Sequence, residues 1–513
     1  MDSLDPELLQ TLNNIRNSLV ERWTFRMLND LPRNYAFHSA ITKAISEHKE
    51  KFCTVLDIGS GTGLLSLYAA TSGVGKVVAV EQDDVMFGIS QKVLSGLDNV
   101  EVIHCASQDL DLENRNVDIV ITETLDSIGI GEGIISSCHD IATRSKNSEI
   151  TFIPSAISLC GVLIRSETLH KSGFHEEFRS SVGTKSEPYC CEYIEEFPDT
   201  VPLSEPKSVF HVTMGDPLPS KVMVIEIEAH ASGYCDGICT YFTAQLSRNN
   251  GICSAPSFVK MGANQTRVKC WEQGWHPLPQ RYLQVGFRAR IKVELSSDSV
   301  VFSWIGDSDE YQVLEPDQIK YLNSDFVSKG GQLLNVVPKI FDVGGTLLSD
   351  PFKCESVECI SFYGYVIHSK RLTSWTRTLP QSLYIQDPAR AHLLTSQINK
   401  YQTLVHEHVP WESLEHEKLS EPLGLLKISR AQRDLCRSQV RFKSKLSLRP
   451  TGLVWWSELV FKSGERFHTG EERLWRPAAV VFQGDVVVGE EYLLSVCFEG
   501  SCLFASLKSS PVR

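Results

Sequence analysis

Two glutamates, Glu123 and Glu132, have the types and spacing in this chain that most strongly indicate chemistry. They stand nine positions apart, and the segment between them contains Gly129 and Gly131. Such a loop can bend back and bring both carboxylates to one place, where they would suit a cationic ligand. In the alternative interpretation, one glutamate caps a helix and the other lies solvated in a loop. The predicted secondary structure around the two glutamates decides between these two interpretations.

Three alternating glycines, Gly59, Gly61 and Gly63, follow the short apolar segment Val55–Ile58. This pattern predicts a strand, a tight turn and a helix. Glycine permits the sharp turn and lets a ligand come close to the backbone. An ordinary glycine-rich turn is the alternative. A dinucleotide-binding motif would need a further glycine where Leu64 stands, so the pattern does not favour a nicotinamide cofactor.

Acidic residues near this turn favour a ligand that contains a nucleoside. Asp57 lies two positions before Gly59, and Glu81 ends the next apolar segment, residues 77–81. A carboxylate at that strand end can accept hydrogen bonds from both ribose hydroxyls. The whole pattern resembles the first motif of S-adenosylmethionine-dependent methyltransferases.

Short apolar segments alternate with helical stretches in this first part of the chain, which indicates a mostly parallel sheet with helices on both faces. The predicted strands are Val55–Ile58, Val77–Glu81, Val100–His104, Asp118–Thr122 and Glu149–Ile153. In such a sheet the ligand lies at the carboxyl ends of the strands. Gly59, Glu81, Ser107, Gln108 and Glu123 all stand at such ends, so we expect them to share one site.

The flanking regions have different patterns. Residues 6–30 and 35–45 carry apolar residues at helical spacing, with Pro32 between them, and predict N-terminal helices that close over the ligand. After Pro154, period-two segments without intervening helices predict an antiparallel barrel or sandwich. Its predicted strands are Ile157–Ile164, Ser208–Thr213, Val222–Ala229, Thr240–Leu246, Tyr282–Leu295 and Val300–Trp304.

The last third of the chain repeats features of this strand-rich region, which indicates a duplication. Matching segments recur in the same order: 154–164 with 338–348, Leu203-Ser204-Glu205-Pro206 with Leu419-Ser420-Glu421-Pro422, Gly237-Ile238 with Gly452-Leu453, Trp271 with Trp475, and Val285-Gly286 with Val488-Gly489. The second copy is too short to hold a nucleotide-binding half, so we predict that it is catalytically silent.

The predicted domains are 1–48 (N-terminal helices), 49–154 (nucleotide-binding), 155–325 (first barrel), 326–400 (remnant and linker) and 401–513 (second, degenerate barrel).

Composition narrows the class of protein. The chain has 513 residues, enough for more than one domain, and a formal net charge of −13. That charge argues against direct nucleic-acid binding and suits a cationic partner. No apolar run is long enough for a membrane span. The 15 cysteines are scattered, which favours reduced thiols in the cytoplasm, with the nucleus as a second compartment, and gives no metal site.

The glutamate pair, placed after a methyltransferase-like nucleotide fold and before a strand-rich domain, resembles the double-glutamate loop of the protein arginine methyltransferases. Within that family the chain is most similar to the tandem-module branch. The resemblance implies an α/β Rossmann-like S-adenosylmethionine-binding domain, then an antiparallel β-barrel domain, then a degenerate barrel-type module that lacks most of its nucleotide-binding half. It also implies S-adenosylmethionine as the cofactor.

The resemblance assigns roles to single residues. Glu123 and Glu132 would hold the substrate guanidinium and take its proton. Trp271 would form a wall of the arginine pocket, with a buried structural tryptophan as the alternative. Arg33 would pair with the carboxylate of the methyl donor. Asp57, Gly59, Gly61, Glu81, Ser107 and Gln108 would complete the cofactor-binding set. Cys270 stands where the family has a histidine, which argues against a histidine-linked proton relay.

The function implied by this resemblance is methyl transfer from S-adenosylmethionine to arginine in protein substrates, with mono- and symmetric dimethylation as products. RNA-binding or splicing proteins are the expected substrates, without direct contact to nucleic acid or membrane. The chain would act as a monomer with tandem modules or as a homodimer. Two alternatives stay open: a weak or inactive pseudoenzyme that binds the cofactor or a basic partner, and a small-molecule methyltransferase.

Overall fold

The computed structural model describes the greater part of the chain. The described residues are 19–48, 52–113, 115–171, 189–217, 221–296, 299–305, 357–369, 377–400, 402–405, 417–429, 436–461, 466–468, 478–482, 491–499 and 502–509. Among them, no helix combines the length and the apolar character that crossing a membrane requires.

The N-terminal part contains one short strand and two helices, β1 (Leu19–Glu21), α1 (Arg22–Asn29) and α2 (Leu31–Glu47). The helix predicted over residues 6–30 is confirmed at residues 22–29 and wrong at residues 19–21, which form β1, and residues 6–18 lie outside the described residues. Pro32 also does not separate the helices. It lies in the first turn of α2, where its missing N–H is not needed, and Asp30 caps that helix by accepting the Arg33 N–H.

A five-stranded parallel sheet follows, as the alternating pattern predicts. Its strands are β2 (Thr54–Ile58), β3 (Lys76–Glu81), β4 (Val100–His104), β5 (Ile119–Thr122) and β6 (Thr151–Ile153), in the order β4-β3-β2-β5-β6. The helices are α3 (Leu64–Thr71), α4 (Asp84–Val93) and α5 (Ile134–Arg144). The strand order reverses between β2 and β5, and such a reversal opens a ligand crevice at the carboxyl ends of the strands.

The next unit consists almost entirely of strands. They are β7 (Ala156–Arg165), β8 (Cys190–Glu192), β9 (Val201–Pro202), β10 (Lys207–Thr213), β11 (Lys221–Glu228), β12 (Gly233–Ser247), β13 (Asn250–Cys253), β14 (Gln265–Arg267), β15 (Gln273–Leu283), β16 (Arg288–Leu295) and β17 (Val300–Trp304), with one short helix, α6 (Glu167–Lys171). They form a largely antiparallel eight-stranded sheet and a separate sheet of β11, β16 and β17. Closure of these sheets into a barrel stays a prediction.

One strand prediction in this unit is wrong. Residues 282–295, expected as a single strand, are divided between β15 and β16. The break is a turn in which the Phe287 N–H donates to the Gln284 carbonyl at 3.0 Å. Gly286 in this turn has a φ of +83°, a left-handed conformation that glycine adopts without strain.

A third set of strands occupies the described part of the C-terminal third. They are β18 (Val357–His368), β19 (Gln402–Val405), β20 (Glu417–Lys418), β21 (Leu423–Ser429), β22 (Cys436–Lys443), β23 (Gly452–Phe461), β24 (Arg466–His468), β25 (Ala478–Val481), β26 (Glu491–Glu499) and β27 (Cys502–Ser509), with the helix α7 (Pro388–Ile398).

The two Leu-Ser-Glu-Pro segments make the same contacts in the two strand-rich regions. Ser204 Oγ accepts the N–H of Leu163 at 3.0 Å, and Ser420 Oγ accepts the N–H of Val366 at 3.0 Å. Gly237 pairs with Ile164 as Gly452 pairs with Ile367. By these contacts β18 occupies the place of β7.

In these contacts the counterpart of β7 is β18. This strand lies further along the chain than residues 338–348, which were predicted to match residues 154–164. Residues 338–348, Trp475 and Val488-Gly489 lie outside the described residues. Their part in the predicted duplication stays a prediction.

Residues 377–400, here called the docking segment, pack against the outside of the nucleotide-binding half. This segment was predicted to be part of a linker, but its Ser382 carbonyl accepts from Asn34 Nδ2 at 2.7 Å, and its Leu383 carbonyl accepts from the Tyr68 hydroxyl. Arg390 donates to the carbonyls of Val93 and Ser95, both at 3.0 Å. The docking segment thus contacts α2, α3 and the end of α4, which surround the predicted ligand site.

Truncation of the buried anchor of this segment tests the contact. Leu383 is fully buried, whereas Leu379 is about half exposed. We expect Leu383→Ala to lower the free energy of unfolding by about 2–5 kcal/mol, because it leaves a cavity in a packed interface. Leu379→Ala, the matched control, should change it by less than about 0.5 kcal/mol. Urea unfolding of both variants measures the difference. A loss in Leu383→Ala as small as that in the control would show that the segment does not add to stability.

Candidate active site

A cavity of about 610 Å³ lies at the carboxyl ends of β2, β3 and β5, under α1. Its walls include the glycine turn after β2, the end of β3 and both glutamates of the pair. Of the residues predicted for the site, Arg33, Gly59, Gly61, Glu81, Ser107, Gln108, Glu123 and Glu132 line this cavity. Trp23, Thr24 and Met27 of α1 cover it from the N-terminal side.

The glycine turn needs glycine for two different reasons. Gly59, Gly61 and Gly63 all have positive φ values, +68°, +54° and +82°, which other residues rarely adopt. A Cβ on Gly59 would also lie 2.8 Å from the Thr124 side chain. The bare backbone of this turn is therefore part of the cavity wall, and a ligand can lie directly against it.

Glu81 is held at the end of β3 by backbone donors. Its Oε2 accepts the Gly61 N–H at 2.7 Å, and its Oε1 accepts the Asp83 N–H at 2.9 Å. Ser107 is buried in a short 3₁₀ turn, and its carbonyl accepts from Arg144 at 2.9 Å, whereas Gln108 is exposed at the rim. One fixed carboxylate and one amide side chain thus line the same cavity.

Asp57 is the exception within the predicted cofactor set. It is buried but does not line the cavity, because its Oδ2 turns back to accept from the Ser66 hydroxyl at 2.6 Å. Burial raises the pKa of this carboxyl to about 7. Asp57 therefore ties β2 to α3 behind the glycine turn, and its prediction as a direct ligand residue is not supported by its position.

Arg33 and Glu123 form a buried ion pair in the cavity wall. Arg33 Nη2 donates to Glu123 Oε2, and Arg33 Nη1 donates to Asn34 Oδ1 at 2.7 Å. Both side chains of the pair are about 5% exposed. Burial raises the pKa of Glu123 to about 7 even though the Arg33 charge lowers it, and Glu132 and Asp57 raise it further. Burial lowers the pKa of Arg33, but the charge and hydrogen bond of Glu123, together with Cys270 and Asp30, raise it overall.

Four cavity-lining residues keep a buried polar atom without a hydrogen-bond partner among the described residues. These atoms are Thr24 Oγ1, Arg33 Nε, Ser60 Oγ and Glu123 Oε1. Most buried polar groups in folded proteins are paired, and leaving one unpaired costs about 1–3 kcal/mol. Because both a cationic donor and an anionic acceptor are unpaired in one cavity, the site fits a ligand set that carries both charges.

Glu132 reaches the cavity from the other end of the glutamate loop. It is exposed to solvent, in contrast to Glu123. Partial enclosure by the protein and the negative charges of Asp126 and Glu81 raise its pKa. The two glutamates therefore do meet at one cavity, as their spacing predicts, with Glu123 inside and Glu132 nearer the solvent.

The glutamate loop is folded by Asp126, for which sequence reasoning gave no role. Asp126 Oδ1 accepts the Gly131 N–H at 2.8 Å, and the Tyr189 hydroxyl donates to Oδ2. The aspartate itself could have drawn attention, since Asp side chains often bond to nearby backbone N–H groups in turns. No local pattern points to Tyr189, which lies 63 positions away.

Trp271 supports the glutamate loop from behind and does not line the cavity. Its indole Nε1 donates to the Leu125 carbonyl at 2.8 Å, and its ring lies edge-on to Phe242. The preceding residues bind the N-terminal helices, since Asp30 Oδ2 accepts the N–H groups of Lys269 and Cys270 at 2.6 and 3.0 Å. Trp271 was predicted to form a wall of the pocket. In this structure it supports the glutamate loop through its hydrogen bond to Leu125 instead.

The supporting role of Trp271 can be tested with one pair of variants. Trp271→Phe removes the hydrogen bond to Leu125 but keeps an aromatic ring, and we expect amide hydrogen exchange in residues 123–133 to increase about tenfold. Trp304→Phe is the control, because it removes a similar bond of 2.7 Å to the Pro279 carbonyl away from the cavity. Equal exchange in this loop in both variants would contradict the supporting role.

Among the described residues, no group of three or more histidine, cysteine or acidic side chains could hold a metal ion.

Comparison with known proteins agrees with this geometry. Residues 55–141 match the model of a methyltransferase domain. The chain is 28% identical over 308 residues to mouse "Protein arginine N-methyltransferase 9", covering 52% of this chain and 35% of the mouse protein. It is 29% identical over 279 residues to "Arginine N(omega)-methyltransferase" of Streptomyces achromogenes subsp. streptozoticus, covering 50% of this chain and 72% of that protein.

A chain of the solved "Trypanosoma brucei PRMT1 enzyme-prozyme heterotetrameric complex with AdoHcy" is 17% identical, with a TM-score of 0.44 over 55% of this chain and 93% of that chain. The vertebrate relatives are much longer proteins, of which this chain spans little more than a third. Residues 55–141 thus form a methyltransferase domain, and over about half of its length the chain is similar to protein arginine N-methyltransferases.

Proposed function

We propose that this chain transfers methyl groups from S-adenosylmethionine to guanidinium nitrogens of arginine residues in proteins. The observation that carries the proposal is the pair of unpartnered buried atoms, Arg33 Nε and Glu123 Oε1, in one cavity beside the glycine turn. One atom can donate to a carboxylate and the other can accept from a cation.

The residues present fit the methyl donor. Arg33 Nε suits its carboxylate, Glu81 suits its ribose hydroxyls, and Ser107 with Gln108 suits its adenine edge. The bare backbone at Gly59 lets the ligand approach closely. When bound, this cofactor supplies a methyl group made electrophilic by a sulfonium.

The glutamates would hold the substrate. Glu123 Oε2 already accepts from Arg33, whereas Oε1 has no partner among the described residues and could accept from a second guanidinium. Carboxylates bind a planar guanidinium through paired, charge-assisted hydrogen bonds. Two unit positive charges about 4 Å apart repel by about 4 kcal/mol at an effective dielectric constant near 20. Glu123 and Glu132 offset that repulsion and fix the orientation of the substrate nitrogen.

Glu132 is the residue to which we assign the substrate proton. An arginine guanidinium does not lose its proton in advance, because its pKa is above about 12, so the proton leaves during or after methyl transfer. Glu132 has a raised pKa and reaches solvent, whereas Glu123 is buried against Arg33. A carboxylate with these properties can accept the proton and pass it to water.

The finer aspects of the function rest on the family resemblance. We propose mono- and symmetric dimethylation as products, RNA-binding or splicing proteins as substrates, and the cytoplasm with the nucleus as compartments. The docking segment lets a single chain supply a module-to-module contact at the nucleotide-binding half, which favours a tandem monomer over a homodimer.

The alternative is a pseudoenzyme that binds the cofactor or a basic partner without turnover. The described C-terminal strands include no second parallel sheet, and this supports the alternative, whereas the glutamate pair at the cavity supports the enzyme.

One assay separates these functions. The chain is incubated with S-adenosylmethionine labelled on the methyl group and either an arginine-rich protein, the same protein with lysine for arginine, or free L-arginine. Label on the arginine-rich protein alone, found on arginine by fragmentation mass spectrometry, is the expected result. Label on free arginine would indicate a small-molecule enzyme. Cofactor binding in calorimetry without any transfer would establish the pseudoenzyme.

A further inference from the structure

We propose that Asp126 is a positioning residue that clasps the glutamate loop, residues 123–133, to Tyr189 of the strand-rich unit and thereby holds Glu132 at the cavity. This inference rests on the proposed function, because it concerns the residue to which we assign the substrate proton. It adds a residue pair that does not line the cavity.

The contacts of Asp126 close the loop on itself. Its Oδ1 accepts the Gly131 N–H at 2.8 Å, and its own carbonyl accepts the Gly129 N–H at 3.0 Å. A Cβ on Gly131 would collide with the Asp126 carboxylate, so only glycine permits this approach. Glu132 follows directly after the residue that the clasp holds. The position of Glu132 therefore depends on Asp126.

Tyr189 anchors the closed loop to the other unit. It is buried, it immediately precedes β8, and its ring lies 5.2 Å from His276 of β15. Because β8 pairs with β15, the hydroxyl that donates to Asp126 belongs to a hydrogen-bonded sheet. Ordering of that sheet thus determines where the far end of the glutamate loop lies.

Three separate contacts now fix the loop along its length. Arg33 binds Glu123 at its beginning, Trp271 donates to the Leu125 carbonyl, and Asp126 ties Gly131 to Tyr189 near its end. The first two act on residues 123 and 125. Of the three, the third acts nearest to Glu132.

Asp126 also acts on Glu132 through its charge. The charged groups around Glu132 are Asp126 on its own loop, Glu81 at the end of β3, and Glu123, which is paired with Arg33 of α2. The negative charge of Asp126 raises the pKa of Glu132, so the ionised glutamate becomes a stronger base. Loss of that charge lowers the pKa. Glu132 then ionises at lower pH.

Asp126→Asn separates the charge from the hydrogen bonds, because asparagine keeps an oxygen for the Gly131 N–H and can still meet Tyr189. We expect the acidic limb of the pH profile of kcat/KM to move to lower pH by about half a unit or more. The dissociation constant for S-adenosylmethionine, measured by calorimetry, should stay within twofold. An unmoved acidic limb would overturn the electrostatic part of the proposal.

Tyr189→Phe tests the clasp with the charge retained. We expect kcat to fall about tenfold, since a hydrogen bond to a charged group is lost, while cofactor affinity is unchanged. Tyr234→Phe is the control, because this tyrosine is exposed on β12. If Tyr189→Phe keeps full kcat, Tyr189 does not hold the loop.

A second measurement keeps this inference separate from the proposed function. Amide hydrogen exchange in residues 123–133 is compared between the wild-type chain, Tyr189→Phe and Asp126→Ala. Faster exchange at this loop in both variants supports the clasp even if the wild-type chain transfers no methyl group. Unchanged exchange overturns the clasp even if the chain is an active methyltransferase.

Discussion

Glu132→Gln is expected to lower methyl transfer by about 10²- to 10³-fold while the chain still binds S-adenosylmethionine. Glutamine has nearly the same shape but cannot hold the guanidinium by charge or take its proton. Loss of one such stabilising group in an active site costs about 2.7–4 kcal/mol of transition-state stabilisation. Because Glu132 is exposed in the cavity and not part of the buried core, folding should not change.

The measurement is a single-turnover assay with labelled cofactor, beside calorimetry for cofactor affinity. Glu149→Gln is the matched control, since Glu149 is an exposed glutamate that does not line this cavity. It should keep full activity. Full turnover in Glu132→Gln with intact cofactor binding would show that the proton leaves by another route.

Arg33→Ala is expected to have the largest effect on stability and to abolish cofactor binding. The substitution leaves Glu123 buried without its partner, and breaking a buried ion pair in this way costs about 3–5 kcal/mol. By contrast, Arg115→Ala removes a partly exposed pair with Glu101 and should cost less than about 1 kcal/mol. Urea unfolding of the two variants compares the buried pair with the exposed one.

The loss caused by Arg33→Ala should depend on pH. The pKa of Glu123 is already raised to about 7 in the folded chain, and without Arg33 it rises further. The unfolded chain ionises this carboxyl near its ordinary value, so the unfolded state releases its proton first as pH increases. Between about pH 5 and pH 7 both chains lose stability in this way. Above about pH 7 the variant alone should continue to lose stability, by up to about 1.4 kcal/mol per pH unit, so the loss caused by the substitution grows there.

A double variant provides the control for this mechanism. In a Glu123→Gln background no charge is left unpaired, so Arg33→Ala should cost clearly less and lose its extra pH dependence. If Arg33→Ala costs the same in both backgrounds, the ion pair does not account for its contribution. Cofactor binding should be lost in both cases, because Arg33 Nε is absent.

Local sequence patterns were sufficient for the parallel sheet and for most of the cavity. The apolar runs that form β2, β3 and β5 are buried on both faces, and such runs need no knowledge of distant residues to be recognised. Gly59 and Glu81 followed from their positions at strand ends, because the carboxyl ends of parallel strands meet at one edge. The glutamate pair followed from its position after β5 and from the family resemblance.

Other predicted site residues have orientations that local patterns could not show. Asp57 stands in the right motif, yet it turns back to Ser66. Trp271 was expected beside the substrate, yet its indole binds the Leu125 carbonyl, 146 positions away. In each case the residue type was meaningful, but its orientation depended on packing.

The sequence by itself determined the strand, turn and helix that form the ligand edge, because their signals lie within a few residues of each other. Only the tertiary structure decided that Tyr189 holds Asp126 and that the docking segment packs against α2, α3 and α4. Ser382 lies 348 positions from Asn34, and no periodicity extends over such a distance. Contacts of this kind form only when the free energy of packing brings whole units together, so they are absent from local patterns.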